Sequence, residues 1–113
     1  MSDLADRNCI PCRGGTAPLT AAQIAPLLAQ LPGWSAANGH HLCRRFTLAD
    51  FAGALELANR IGAIAEQQNH HPDLHLAWGM LEVTIWTHTI DGLTESDFVF
   101  AAKCDHVAAG LAV

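Results

Sequence analysis

Positive charge is scarce in this sequence. Six Lys and Arg stand against eleven Asp and Glu, a net charge of −5 with histidines neutral, and Arg44-Arg45 is the one adjacent basic pair. Phosphate backbones are held by clustered cations, so direct binding to nucleic acid is excluded. Long apolar runs are missing as well. Nothing approaches the ~20 apolar residues of a membrane span, so no membrane partner is expected. Residues 1–7 lack a basic start followed by an apolar run, so they are not expected to act as a secretory leader. The four cysteines, Cys9, Cys12, Cys43 and Cys104, are then expected as reduced thiols of a cytoplasmic protein. There is no Gly-rich phosphate loop, no internal repeat and no low-complexity tract. Cys9-Ile10-Pro11-Cys12 has CxxC spacing, but no second pair follows, so it falls short of a zinc knuckle.

What the chain has is apolar character: 50% of its 113 residues are hydrophobic and only 15% charged. That fits one domain with one core, and a further surface buried in an oligomer. Residues 1–18 read as a poorly patterned arm and 19–113 as a single domain. Thr20 and Gln23 form a capping box for a first helix over Thr20–Leu31, with Ile24, Leu27, Leu28 and Leu31 on its apolar face. Pro26 should kink it or delay its first turn, and Pro32-Gly33 ends it. Trp34 is expected as a core anchor. Asn38-Gly39 is a two-residue hairpin turn between strands within Trp34–Phe46. The neighbouring His40 and His41 are expected at the surface.

Thr47 to Asn69 reads as the longest helix, capped by Thr47 and Asp50, with Phe51, Leu55, Ala58, Ile61 and Ala65 on one stripe. Leu48, Leu57 and Ile64 widen that stripe, enough to face both a sheet and a partner. Pro72 stops the helical pattern. A third strand over Leu74–Trp78, a turn at Gly79-Met80 and a fourth strand over Leu81–His88 follow. Strict alternation in the fourth sets Leu81, Val83, Ile85 and Thr87 on a core face. Glu82, Thr84, Trp86 and His88 lie on the other, toward a cleft. Thr94, with Asp97 three residues on, opens a last helix with Phe98, Ala101 and Ala108 as its stripe. The predicted order is α-β-β-α-β-β-α: an α+β fold with a four-stranded antiparallel sheet and three helices on one face.

The chemistry concentrates in His70, His71 and His88. Histidine both gives and takes protons near neutral pH, and two or three at one site suit a step needing an acid and a base. A nucleophile is not evident. A three-histidine metal site is the competing reading, weakened because adjacent side chains such as His70 and His71 diverge. A structural reading makes His70 a helix C-terminal residue and His71 a surface one.

Glu66-x-x-x-His70-His71-Pro72, then Trp78, His88 and Asp97, resembles the signature of pterin-4a-carbinolamine dehydratases. Leu31-Pro32-Gly33-Trp34 and Gly92-Leu93-Thr94 extend the likeness, and the Cys9-x-Pro11-Cys12-x-Gly14-Gly15 arm looks like that of bacterial members. The resemblance implies the fold just described, a homodimer or homotetramer, and no metal or organic cofactor. It implies a lyase that dehydrates 4a-hydroxytetrahydropterin to quinonoid dihydropterin, recycling the cofactor of aromatic amino-acid hydroxylases, with a functional link to phenylalanine hydroxylase. His70 and His88 are then expected as the acid/base pair and His71 as a residue that binds or polarises the pterin. Glu66, Pro72, Asp73 and Trp86 are expected to bind substrate or shape its pocket. The alternative is a non-catalytic pterin- or protein-binding module.

Overall fold

A computed structural model describes residues 4–10 and 16–111. Cys12, Gly14 and Gly15, and with them the CxxC spacing, lie outside the described residues. Helix α1 spans Ala21–Leu28, and Thr20 and Gln23 form the expected capping box. Pro26 lies inside it without delaying the first turn; the helix stops three residues short of the predicted Leu31. Leu31 is nonetheless buried, with Trp34, whose ring meets Phe46 edge-on at 6.2 Å.

Strands β1 (Ser35–Ala37) and β2 (His41–Thr47) pair around Asn38 and Gly39, whose φ values are +54° and +65°. That left-handed pair matches the right-handed twist of the strands, which is why Asn-Gly is favoured there. Helix α2 covers Phe51–Gln68, with Asp50 as its cap through the Gly53 N–H; Thr47 belongs to β2 instead. The buried stripe of α2 is Ala54, Leu57, Ile61 and Ala65, while Phe51 and Leu55 are exposed. The stripe predicted through Phe51 and Leu55 is therefore rotated from the real one along the first two turns.

Strands β3 (Asp73–Ala77) and β4 (Met80–Ile85) form the second hairpin, turned by Trp78-Gly79, with Gly79 at φ +68°. Met80 is in the strand, not the turn. The sheet is antiparallel throughout, in the order β1-β2-β4-β3. Leu42, Phe46, Leu81, Val83 and Ile85 form its buried face, beneath the helices. Strand β4 ends earlier than its alternation suggests. Its last partner in β2 is Leu42, opposite Ile85; Thr87 then pairs with Gly92 instead, around a short 3₁₀ turn at His88–Ile90.

Helix α3 covers Glu95–Ala108 and is buried on nearly every side, from Ser96 through Ala102 and at Cys104 and Ala108. It has no single stripe because it is wrapped: α1, α2, β2 and residues 4–6 all contact it. Residues 4–6 of the arm are thus part of the fold. Leu4 is fully buried, which contributes roughly 2 kcal/mol to holding the arm against α3.

Candidate active site

Helix α2 ends in a way that aims the two histidines apart. Asn69 takes the left-handed conformation at φ +51°, and the N–H groups of Asn69 and His70 both close on the Ala65 carbonyl. Asn is among the few non-glycine residues that tolerate this geometry. The chain reverses there, and Pro72 keeps the helix from resuming.

His70 turns inward, with its side chain 15% exposed, and its Nε2 lies 2.6 Å from Asp97 Oδ1. Asp97 is fully buried near the start of α3. Its second oxygen accepts the Thr87 hydroxyl at 2.8 Å and the Thr94 N–H at 2.9 Å. The Thr87 and Thr94 hydroxyls also meet at 3.0 Å. A buried carboxylate must have its lone pairs filled, and here three donors fill them. Donation from His70 Nε2 to this carboxylate leaves Nδ1 as the lone-pair nitrogen of the neutral ring. Phe100 backs the imidazole edge-on at 6.0 Å.

His71 turns the other way, to Glu66 Oε2 at 2.5 Å, in an exposed pair. Glu66, expected one turn before His70 on a shared face, thus holds the neighbouring histidine. His88 lies on the 3₁₀ turn rather than on β4, its ring 4.4 Å from that of Trp86. His40 and His41, expected at the surface, are half-buried and pack against Trp86 at 5.5 and 6.0 Å. His40 Nε2 also meets Asp91, at the end of the 3₁₀ turn, at 2.7 Å. The hairpin between β1 and β2 therefore buttresses the segment that carries His88.

These elements surround one hollow of about 260 Å³, which His70, His71, Trp86 and His88 all line. Among the described residues, Thr87, Thr89, Gln68, Asn69, Cys9 and Ile10 also line it. Glu66, Pro72 and Asp73 lie outside that lining; Asp73 is the first residue of β3, paired with Thr84. Asp97 was read as a cap of the last helix and as part of the family signature, but not as the partner of His70. Among the described residues no group of three or more His, Cys, Asp or Glu is placed to hold a metal ion. No helix among them is long and apolar enough to cross a membrane. Three imidazoles, one fixed by a buried carboxylate, give this hollow the means to deliver and remove protons on one bound molecule.

Comparison with known proteins shows which family the chain belongs to. The family model described as pterin 4 alpha carbinolamine dehydratase matches residues 17–107. A relative in Rubrobacter xylanophilus is 53% identical over 107 residues, covering 95% of this chain and all of the relative. Another, in Alkaliphilus metalliredigens, is 50% identical over 106 residues, covering 93% of this chain and 96% of the relative. Both are provisionally named pterin-4-alpha-carbinolamine dehydratases. The crystal structure of a transcriptional coactivator/pterin dehydratase from Brucella melitensis superposes with a TM-score of 0.76 at 32% identity, covering 80% of this chain and 98% of that one. With the family model spanning most of its length and relatives matched nearly end to end, the chain belongs to the pterin 4 alpha carbinolamine dehydratase family.

Proposed function

We propose that this chain is a lyase converting 4a-hydroxytetrahydropterin to quinonoid dihydropterin and water by histidine acid/base catalysis. The observation that carries the reading is the convergence of His70, His71 and His88 on one hollow, with His70 held by buried Asp97. The reaction breaks the C4a–O bond, forms the N5–C4a double bond, and moves two protons. One goes to the departing hydroxyl and one leaves N5, whose lone pair drives the expulsion. The change is redox-neutral, so no electron carrier enters the balance. Two positioned imidazoles each supply roughly 10²–10⁴-fold. His70 and His88 take the acid and base roles, and His71 binds or polarises the pterin. Trp86 offers an aromatic surface to the ring. Glu66 acts through His71, and Pro72 and Asp73 shape the approach by fixing where α2 stops and β3 begins.

In the cell this activity would recycle the pterin cofactor of an aromatic amino-acid hydroxylase, phenylalanine hydroxylase being the expected upstream enzyme, in the cytoplasm. Self-association into a homodimer or homotetramer belongs to the same reading. It is supported by the exposed apolar side chains Phe51 and Leu55 on α2 and Leu74 and Trp78 on and after β3. A binding role is the second reading, favoured by those same surfaces and by the coactivator in the name of the Brucella protein.

The test is a coupled assay. Phenylalanine hydroxylase generates the 4a-carbinolamine in place, and decay of its absorbance is followed with and without this protein. Faster decay, lost in His70→Ala and His88→Ala proteins that still fold, supports the proposal. Unchanged decay with folded wild-type protein defeats it in favour of the binding role.

A further inference from the structure

We propose that the N-terminal arm forms a wall of the pterin pocket, with Cys9 and Ile10 touching substrate and Ile10 setting affinity for the planar ring. This rests on the pterin reading above. Cys9 and Ile10 precede residue 17, where the match to the family model begins. Yet Cys9 and Ile10 line the same hollow as His70, His71 and His88.

The arm is latched there by groups adjacent to the catalytic ones. The Ser96 hydroxyl accepts the Ile10 N–H at 2.8 Å and donates to the Ile10 carbonyl at 3.1 Å. Ser96 is the residue before Asp97. The Cys9 N–H donates to Gln68 Oε1 at 2.7 Å, and Gln68 is the last residue of α2, two before His70. Further back, Lys103 Nζ donates to the Ala5 carbonyl at 2.7 Å, Arg7 pairs with Glu95, and Leu4 is buried. Cys9, Ile10 and His70 are thus held by neighbouring residues of the same two helices, so the wall is fixed relative to His70.

The chemistry of the lining says what the wall supplies. Around the histidines stand Gln68, Asn69, Thr87 and Thr89, all polar. Among the described residues, Trp86 and Ile10 are the two large apolar side chains of the hollow. A fused heteroaromatic ring needs polar partners at its edge and apolar cover on its faces. Ile10 is 69% exposed, apolar surface that a bound ring would cover. Burial of the arm also pushes the Cys9 thiol up to about 11, so its ordinary alkylation is slow while the arm is docked.

The test uses the full chain and three readouts: steady-state dehydration, calorimetric binding of dihydrobiopterin, and alkylation of Cys9 followed by peptide mass spectrometry. Ile10→Ala should weaken dihydrobiopterin binding and raise KM about tenfold, the scale of one apolar contact in a pocket, with a smaller fall in kcat. Ile10→Leu should restore both. Ser96→Ala should speed Cys9 alkylation by releasing the arm, and saturating dihydrobiopterin should slow it in wild type. Unchanged affinity in Ile10→Ala and Ser96→Ala, with Cys9 alkylated equally fast when pterin is bound, overturns the proposal. Wild-type protein that binds dihydrobiopterin but does not dehydrate the carbinolamine sinks the reaction and leaves the wall to be judged by binding. Turnover with those unchanged affinities sinks the wall alone, and absence of any pterin binding sinks both.

Discussion

His70 and His71 are neighbours, each facing a carboxylate at nearly the same distance, 2.6 Å to Asp97 and 2.5 Å to Glu66. The environments differ completely. Asp97 has no exposure and is fixed by Thr87 and Thr94, whereas the Glu66 side chain is 80% exposed and its partner His71 53%. An exposed pair is screened by water and costs side-chain freedom to hold, so it contributes ~0–1 kcal/mol. A buried carboxylate left without a partner is expensive, so every donor around Asp97 matters. Distance alone therefore does not rank the two pairs; burial and the number of fixed donors do. His70 is the oriented imidazole and His71 the adaptable one.

The largest expected effect of breaking this contrast is catalytic. His70→Ala should lower kcat by about 10²–10⁴-fold, while His71→Ala should act mainly on KM, by about tenfold. Equal losses of kcat in the two variants would erase the distinction. Next comes stability. Asp97→Ala removes the acceptor of His70, Thr87 and Thr94 together, and should lower unfolding free energy by about 3 kcal/mol in urea titration.

Asp105 provides an intermediate case, partly buried against Trp34 Nε1 at 2.9 Å and Arg44 at 2.7 Å. Burial raises its pKa above the ordinary 3.8, against the lowering pull of Trp34 and Arg44. The folded protein holds that proton more tightly than the unfolded chain. Its contribution to stability therefore declines as pH rises from about 3.8 through the raised folded value. Relative to Asp105→Asn, the urea midpoint of the wild type should fall across that range; a relative rise would contradict the burial argument. The smallest effect belongs to the exposed pair: Glu66→Gln should change stability by less than about 0.5 kcal/mol and leave the thermal midpoint nearly unmoved.

The parts of this architecture legible in the sequence are the local ones. Asn38-Gly39 and the Thr20–Gln23 box carry their own conformational instructions, and both formed as expected. The stripe of α2 was less legible because Phe51, Ala54, Leu55 and Leu57 offer two overlapping apolar faces. Only the tertiary position of the sheet decides that Ala54 and Leu57 go inward. His88 was drawn onto β4 because alternation runs past Ile85, but a strand lasts only while its partner does, and β2 meets it last at Leu42. Within the candidate site, the meeting of the three histidines came from the resemblance and from Pro72. The role of Asp97 stayed hidden because one carboxylate both caps α3 and holds His70, and sequence spacing displays only the first task. Leu4 gave no signal because a single apolar residue in a short arm has no period.

The wrapping of α3 sets how the pocket can breathe. Amide exchange in a helix covered by α1, α2, β2 and the arm should require opening close to the global unfolding free energy, so the carboxylate at its start is as slow to move as the whole fold. Ligand entry and release then fall to the side of the hollow away from α3, where the 3₁₀ turn at His88–Ile90 contributes to its lining. The side of the site formed by Asp97 and His70 thus keeps one proton-transfer group in a set place while the rest of the hollow admits the ligand.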